Sequence, residues 1–127
     1  MKLVIFGSRP QFCPLSLNQQ VEMIGLAITK FNLSPTEIVT GLAQGIDTAA
    51  VVYARNAGLT IKGFRADWDK FGRAAGKIRN KQMAMYADQG LGLQWGDSPG
   101  TSHMIDVMHA LKKPCFTIHD GAIEYAF

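Results

Sequence analysis

Little in this chain is suited to covalent cross-linking or to holding a metal, since its 127 residues include only 2 cysteines and 3 histidines. Cys13 and Cys115 match no C-x-x-C or mixed His/Cys ligand spacing, and two thiols cannot build the framework that defines a small disulfide-rich secreted fold. They read as reduced thiols leaning on a core. His103, His109 and His119 share no helical face with carboxylates at ligand spacing, so no metal is expected. The sequence also lacks an H-E-x-x-H pattern, a Ser/His/Asp order and a paired-carboxylate spacing. Its apolar stretch before Gly7 is too short for a signal h-region or a membrane span, which makes a cytoplasmic location the expectation and excludes a membrane partner. No repeat, low-complexity tract or Pro/Ser-rich linker interrupts it, so residues 1–127 are expected to form a single domain.

What is present is a regular alternation of elements. Leu17, Val21, Ile24, Ile28 and Phe31 recur at steps of four and three, which predicts a helix from about Ser16 to Phe31 with these residues on one face. Short β-branched runs at Lys2–Phe6, Glu37–Thr40, Leu59–Phe64, Gly90–Gln94 and Pro114–Ile118 alternate with helical stretches near 45–56, 76–87 and 101–112. Strands separated by helices need crossover connections, so the pattern predicts an α/β, Rossmann-like domain: a five-stranded parallel sheet with helices on both faces. The expected strand order is 3-2-1-4-5, because the reversal beside the first strand opens a crevice at the carboxyl edge.

Four polar or glycine-bearing motifs leave those carboxyl ends. They are Gly7-Ser8-Arg9, Gly41-Leu42-Ala43-Gln44-Gly45-Ile46-Asp47, Ala75-Gly76-Lys77-Ile78-Arg79-Asn80 and Ser98-Pro99-Gly100-Thr101. Gly41 and Gly45 allow close approach of the backbone to a ligand, although the motif is neither a dinucleotide fingerprint nor a Walker A loop. Asp47 is suited either to capping the helix that follows or to accepting from a ribose hydroxyl. Ser98 as cap and Pro99 at the first helical position leave the N–H groups of Gly100 and Thr101 free, which describes an ordinary capped helix and equally a phosphate seat. Arg79 offers a bidentate clamp for phosphate, and Asn80 can read a base or ribose. His103 belongs in the first turn of the same helix, as a neutral ring that is either structural or a ligand contact. Trp68 and Phe71 lie in a long loop, where they either stack on a base or anchor the loop to the core. Between Arg65 and Lys81, six bases face two acids for a net of +4, and the rest of the chain carries −1. That concentration suits a phosphate-bearing partner, or else it is a solvated helix face.

In their order along the chain, these motifs, with Ala66-Asp67-Trp68, resemble the SLOG superfamily and in particular its YspA-like branch. The resemblance implies a Rossmann-like sheet that binds a nucleotide or nucleotide-derived ligand, for sensing, sequestering or processing, with no cofactor. Two relatives supply alternatives. The LOG-type phosphoribohydrolases hydrolyse nucleoside monophosphates and carry motifs similar to Arg79-Asn80 with Met83 and to Gly100-Thr101. Met104 occupies the position of their catalytic Glu, and a thioether can neither stabilise an oxocarbenium ion nor move a proton. Binding rather than turnover is therefore the expectation. Asp67, Asp47 and Asp97 are the available carboxylates, with Asp67 as the candidate catalytic group. DNA-processing protein A carries a Gly-Leu-Ala-x-Gly-Ile-Asp motif like Gly41–Asp47 and an Arg-Asn pair, which implies single-stranded DNA as the alternative partner. The expected ligand contacts are Gly7, Ser8, Arg9, Gly41, Gly45, Asp47, Asp67, Trp68, Arg79, Asn80, Ser98, Gly100 and Thr101, in a protein that allows a homo-oligomer.

Overall fold

A computed structural model of the chain describes residues 1–121, so the last six positions of the expected 1–127 domain lie outside the described residues. The strands are β1 (Lys2–Gly7), β2 (Glu37–Thr40), β3 (Thr60–Gly63), β4 (Gln89–Gln94) and β5 (Cys115–His119). All neighbouring pairs run parallel, in the order β3-β2-β1-β4-β5. This is the expected Rossmann-like α/β sheet. Because successive side chains of β1 alternate faces, Leu3 and Ile5 join one core, while Val4 and Phe6 join the other. The first core is covered by α1 (Leu17–Lys30) and α2 (Ile46–Asn56), and the second by α4 (Ala75–Tyr86) and α5 (Pro99–Ala110). The Phe6 ring lies against two glycines of β4 and requires the one at 92. A Cβ on Gly92 would sit 2.7 Å from its ring, and one on Gly90 would sit 3.4 Å away.

Helix boundaries follow their local chemistry. Ser16 caps α1 in a reciprocal capping box with Gln19, whose amide N–H it receives at 3.2 Å. Ile24, Ala27 and Ile28 bury their side chains, as the periodicity requires, but Leu17 is exposed. The first turn of α1 overhangs the sheet, and Gln20 is buried there, donating its amide to the Leu15 carbonyl at 3.0 Å. The structure departs from expectation in two further places. Thr60, Lys62 and Gly63 are exposed because β3 lies at the edge of the sheet, covered less than its neighbours. The segment expected as an irregular loop contains a short helix, α3 (Trp68–Phe71), followed by a 3-10 turn over Gly72–Ala74. Asp67 starts α3 by accepting from Lys70 N at 3.1 Å.

The strand order places the reversal between β1 and its two neighbours, so the chain leaves β2 toward one face and β4 toward the other. The loops after β1, β2 and β4 therefore splay apart over the carboxyl edge.

Candidate functional site

A cleft of about 440 Å³ opens at that edge, and it gathers residues from all four expected motifs. Arg9 enters from the loop after β1, Ala43 and Asp47 from the loop after β2 and the start of α2, Arg79 and Asn80 from α4, and Gly100 and Thr101 from α5. Met83 and Met104, both buried, complete its apolar floor.

Arg79 is the hub. It lies in the second turn of α4 rather than at the helix start, so its side chain reaches back over the loop that follows β2. There Nη1 donates to the Gly41 carbonyl at 2.8 Å and Nε donates to Asn80 Oδ1 at 3.2 Å. These bonds, through Nη1 and Nε, orient the planar fork. Gly41 is a glycine for this reason: a Cβ there would lie 2.6 Å from Arg79 Nη1 and 3.0 Å from Asp47 Oδ2. Asn80, itself buried, splints the arginine to α5 by donating Nδ2 to the Gly100 carbonyl at 3.3 Å. The same amide lies 3.1 Å from His103 Nδ1, which makes that ring nitrogen the acceptor and leaves the hydrogen on Nε2. Burial, reinforced by Lys77 and opposed by Asp106, holds the His103 pKa below its ordinary value. The ring is neutral near pH 7, and its visible role is to hold Asn80.

Asp47 does not cap the helix in whose first turn it lies. Gly45, at φ 86°, is the N-cap of α2, and the Asp47 carboxylate turns back to accept from Ala43 N at 3.1 Å. It is only 8% exposed. Burial pushes its pKa up to about 6, against the opposing pull of the Ala43 amide, the Arg79 guanidinium and the Gly41 amide. The Arg79 guanidinium is pushed below its ordinary range by burial and by neighbouring Arg9, while Asp47 opposes the shift. The two arginines therefore press like charge into one cleft, with a single carboxylate beneath them. That field is relieved by an anion.

At the start of α5, Ser98 is the N-cap by position, yet its hydroxyl bonds Thr101 Oγ1 at 2.7 Å instead of a backbone amide. Thr101 accepts that bond, so its own hydrogen remains to donate. Pro99 brings no N–H, and those of Gly100 and Thr101 precede the first intrahelical bond, Ser102 N to the Ser98 carbonyl at 3.0 Å. A Cβ on Gly100 would meet no atom within 4 Å. Glycine here is not demanded by the fold.

Several expected contacts also serve the fold. Ser8 is buried outside the cleft, with its hydroxyl donating to the Trp95 carbonyl at 2.9 Å and accepting from Trp95 N at 2.8 Å. It ties β1 to the end of β4. Gly7 borders the cleft, but its missing Cβ makes room for Ile46, which would otherwise be 2.6 Å away. Gly45 packs under Pro10, 3.1 Å from where a Cβ would be. Asp67, the candidate catalytic group, is exposed, committed to capping α3, and lines a separate groove with Lys70 and Phe71. Asp97 is exposed before α5. Of the three candidate carboxylates only Asp47 lines the main cleft, and Met104 offers none. Gln11, Phe12 and Gln44 line the cleft without having been foreseen. Their only sequence signal is position, just after Arg9 and just before Gly45.

Trp68, Gly41 and Arg65 belong to a second cleft of about 430 Å³ on the far side of Arg9 and Arg79. Among the described residues no group of three or more His, Cys, Asp or Glu side chains is placed to hold a metal, and no helix is long and apolar enough to cross a membrane.

A parallel α/β domain with a crevice at its topological switch point is the class that this geometry defines. No protein-family model matches the chain, and no curated protein matches it. Among solved structures, DNA processing protein A from Streptococcus pneumoniae superposes with a TM-score of 0.71 over 98% of this chain, at 19% sequence identity. The chain spans about half of that protein, 54% of its structure. The likeness is one of fold.

Proposed function

We propose that this chain, acting as a single domain, binds a nucleotide or nucleotide-derived ligand, with its phosphate between Arg9, Arg79 and the first turn of α5. The observation that carries this reading is the splinted Arg79 fork, which lines one cleft together with Gly100 and Thr101, whose N–H groups precede the first intrahelical bond of α5. A guanidinium already held by Gly41 and Asn80 loses little side-chain entropy on engaging an oxyanion. Free helical N–H groups and the Thr101 hydroxyl supply complementary donors on the opposite wall. Such a site suits sensing or sequestering better than glycosidic hydrolysis, because the cleft has an apolar thioether where a catalytic carboxylate would be needed.

Calorimetry against a panel of nucleoside mono- and diphosphates tests the reading. Nucleotide binding is expected, and Arg79→Ala should weaken it by about 1.5–3 kcal/mol, the usual worth of a charged hydrogen bond. If no member of the panel binds, or the variant binds unchanged, the phosphate seat is misassigned.

A second reading, binding of single-stranded DNA, is favoured by the fold likeness to DNA processing protein A and by the exposed bases that flank the clefts. It shares Arg79 with the first reading and differs in using Arg65, Lys70, Arg73 and Lys77 as a cationic track for the polyanionic strand.

A further inference from the structure

The first cleft does not end at Arg79. Arg9, Gln11, Ala43, Gln44 and Arg79 line both it and the second cleft, so these residues form a ridge between two adjoining spaces of nearly equal size, about 440 and 430 Å³. Each lies within the size range of a small-molecule site on its own. The two are chemically distinct. The first ends at the free amides of α5, whereas the second is walled by Trp68, Leu42, Ala66 and Arg65. Trp68 is 54% exposed, whereas the other tryptophan, Trp95, is buried in the core. Its Cη2 lies 3.4 Å from where a Cβ on Gly76 would be, so the ring lies over the start of α4. Leu42 is held opposite at φ 58°, against Gly63, where a Cβ would lie 3.0 Å from its Cγ. An exposed indole that lines one cleft together with an aliphatic side chain and with Arg9, Arg65 and Arg79 is an environment for a flat aromatic group beside a phosphate.

From this arrangement we infer that the site takes a ligand with two nucleoside units joined through phosphate, one unit in each cleft, with the linking phosphate on the Arg9–Arg79 ridge and the second base against Trp68. The inference rests on the phosphate seat proposed above and extends it. Linking the two units makes the second contact intramolecular, so affinity rises without any change in the first cleft. Both a free dinucleotide and two successive nucleotides of a strand have this chemistry.

Three probes separate the cases: AMP, diadenosine joined 5′ to 5′ through pyrophosphate, and the 3′–5′ dinucleotide of deoxyadenosine. By calorimetry, at least one two-unit probe should bind about tenfold or more tighter than AMP. Trp68→Ala should erase that gain, so that the two-unit probes bind the variant no tighter than AMP does, and Trp68→Phe should restore most of it. A gain confined to the pyrophosphate-linked probe identifies a free dinucleotide, and a gain confined to the 3′–5′ probe identifies a strand. If AMP binds as tightly as both larger probes, or the gain survives Trp68→Ala, the second subsite is refuted while the phosphate seat stands. If none of the three binds, the seat and the subsite fall together.

Discussion

Asp47 illustrates how one buried side chain couples the cleft to pH. Its pKa of about 6 in the folded chain lies above the ordinary 3.8, so between these values the native state holds a proton that the unfolded chain has lost. Stability from this source is complete at low pH and is lost as pH rises through about 6. Replacing Asp47 with Asn keeps an acceptor for the Ala43 amide and removes the titration. Urea denaturation between about pH 4 and pH 7 should therefore show Asp47→Asn gaining on the wild type with rising pH, by on the order of 2–3 kcal/mol for a shift of about two pH units. A difference that stays flat across that range would mean that Arg79 and the loop amides already neutralise the cost of burying the carboxylate. At the same scale, Cys115 is inert: burial pushes its thiol up to about 12, as expected of a core-leaning residue.

At the scale of elements, α4 matters most, because it carries both Arg79 and Asn80. Its amino end has no side-chain cap, and its carboxyl end is finished from outside by Lys113, in the turn after α5. The ammonium donates to the carbonyls of Ala84, Met85 and Ala87 at 2.8, 3.0 and 2.7 Å. These are terminal carbonyls without helical partners, and a cation there also complements the helix dipole. Lys113→Met should thus keep the packing stem, lose the three bonds and destabilise the protein by about 1–2 kcal/mol, readable as a lowered urea midpoint with an unchanged slope. An unchanged midpoint would assign the end of α4 to packing alone. The adjoining segment from Arg65 to Ala74 shows why a loop was expected there: α3 is a single turn, closed by Asp67 and ended by Gly72 at φ 55°, too short to leave a periodic signature.

Across the whole molecule, the positive charge and the cleft are separable. Five of the six bases between Arg65 and Lys81 are exposed, whereas Arg79 is drawn inward. Because a Cβ on Gly100 meets no protein atom, Gly100→Val should fold normally while narrowing the seat. We expect it to cost about tenfold or more in AMP affinity, close to 1.4 kcal/mol or above. Residual binding of a labelled oligonucleotide to the same variant should persist through the exposed bases and fall steeply with added salt, as counterion release requires. Anisotropy titrations at several salt concentrations, run beside calorimetry on both proteins, check this. Oligonucleotide binding that tracks AMP affinity in the variant would mean that strand and nucleotide use one seat.

The element order, the parallel sheet and its strand order were legible in the sequence, because they rest on local periodicity and on the few ways strands and crossovers can connect. So was the gathering of Arg9, Arg79, Asn80, Gly100 and Thr101 at one edge, since strand ends in such a sheet share a side. Side-chain direction was not legible. Ser8 and Gly7 sit in a motif of the right composition but serve the joint between β1, β4 and α2, and Asp67 is spent on a helix cap. Nothing local distinguishes these from ligand contacts. Only the tertiary structure brings Arg79 within reach of Gly41, 38 residues away along the chain, and of Asp47, and so decides that the buried carboxylate is Asp47. The physical reason is that patterning encodes which face of an element is apolar, whereas the atoms facing a polar side chain are set by how distant elements pack.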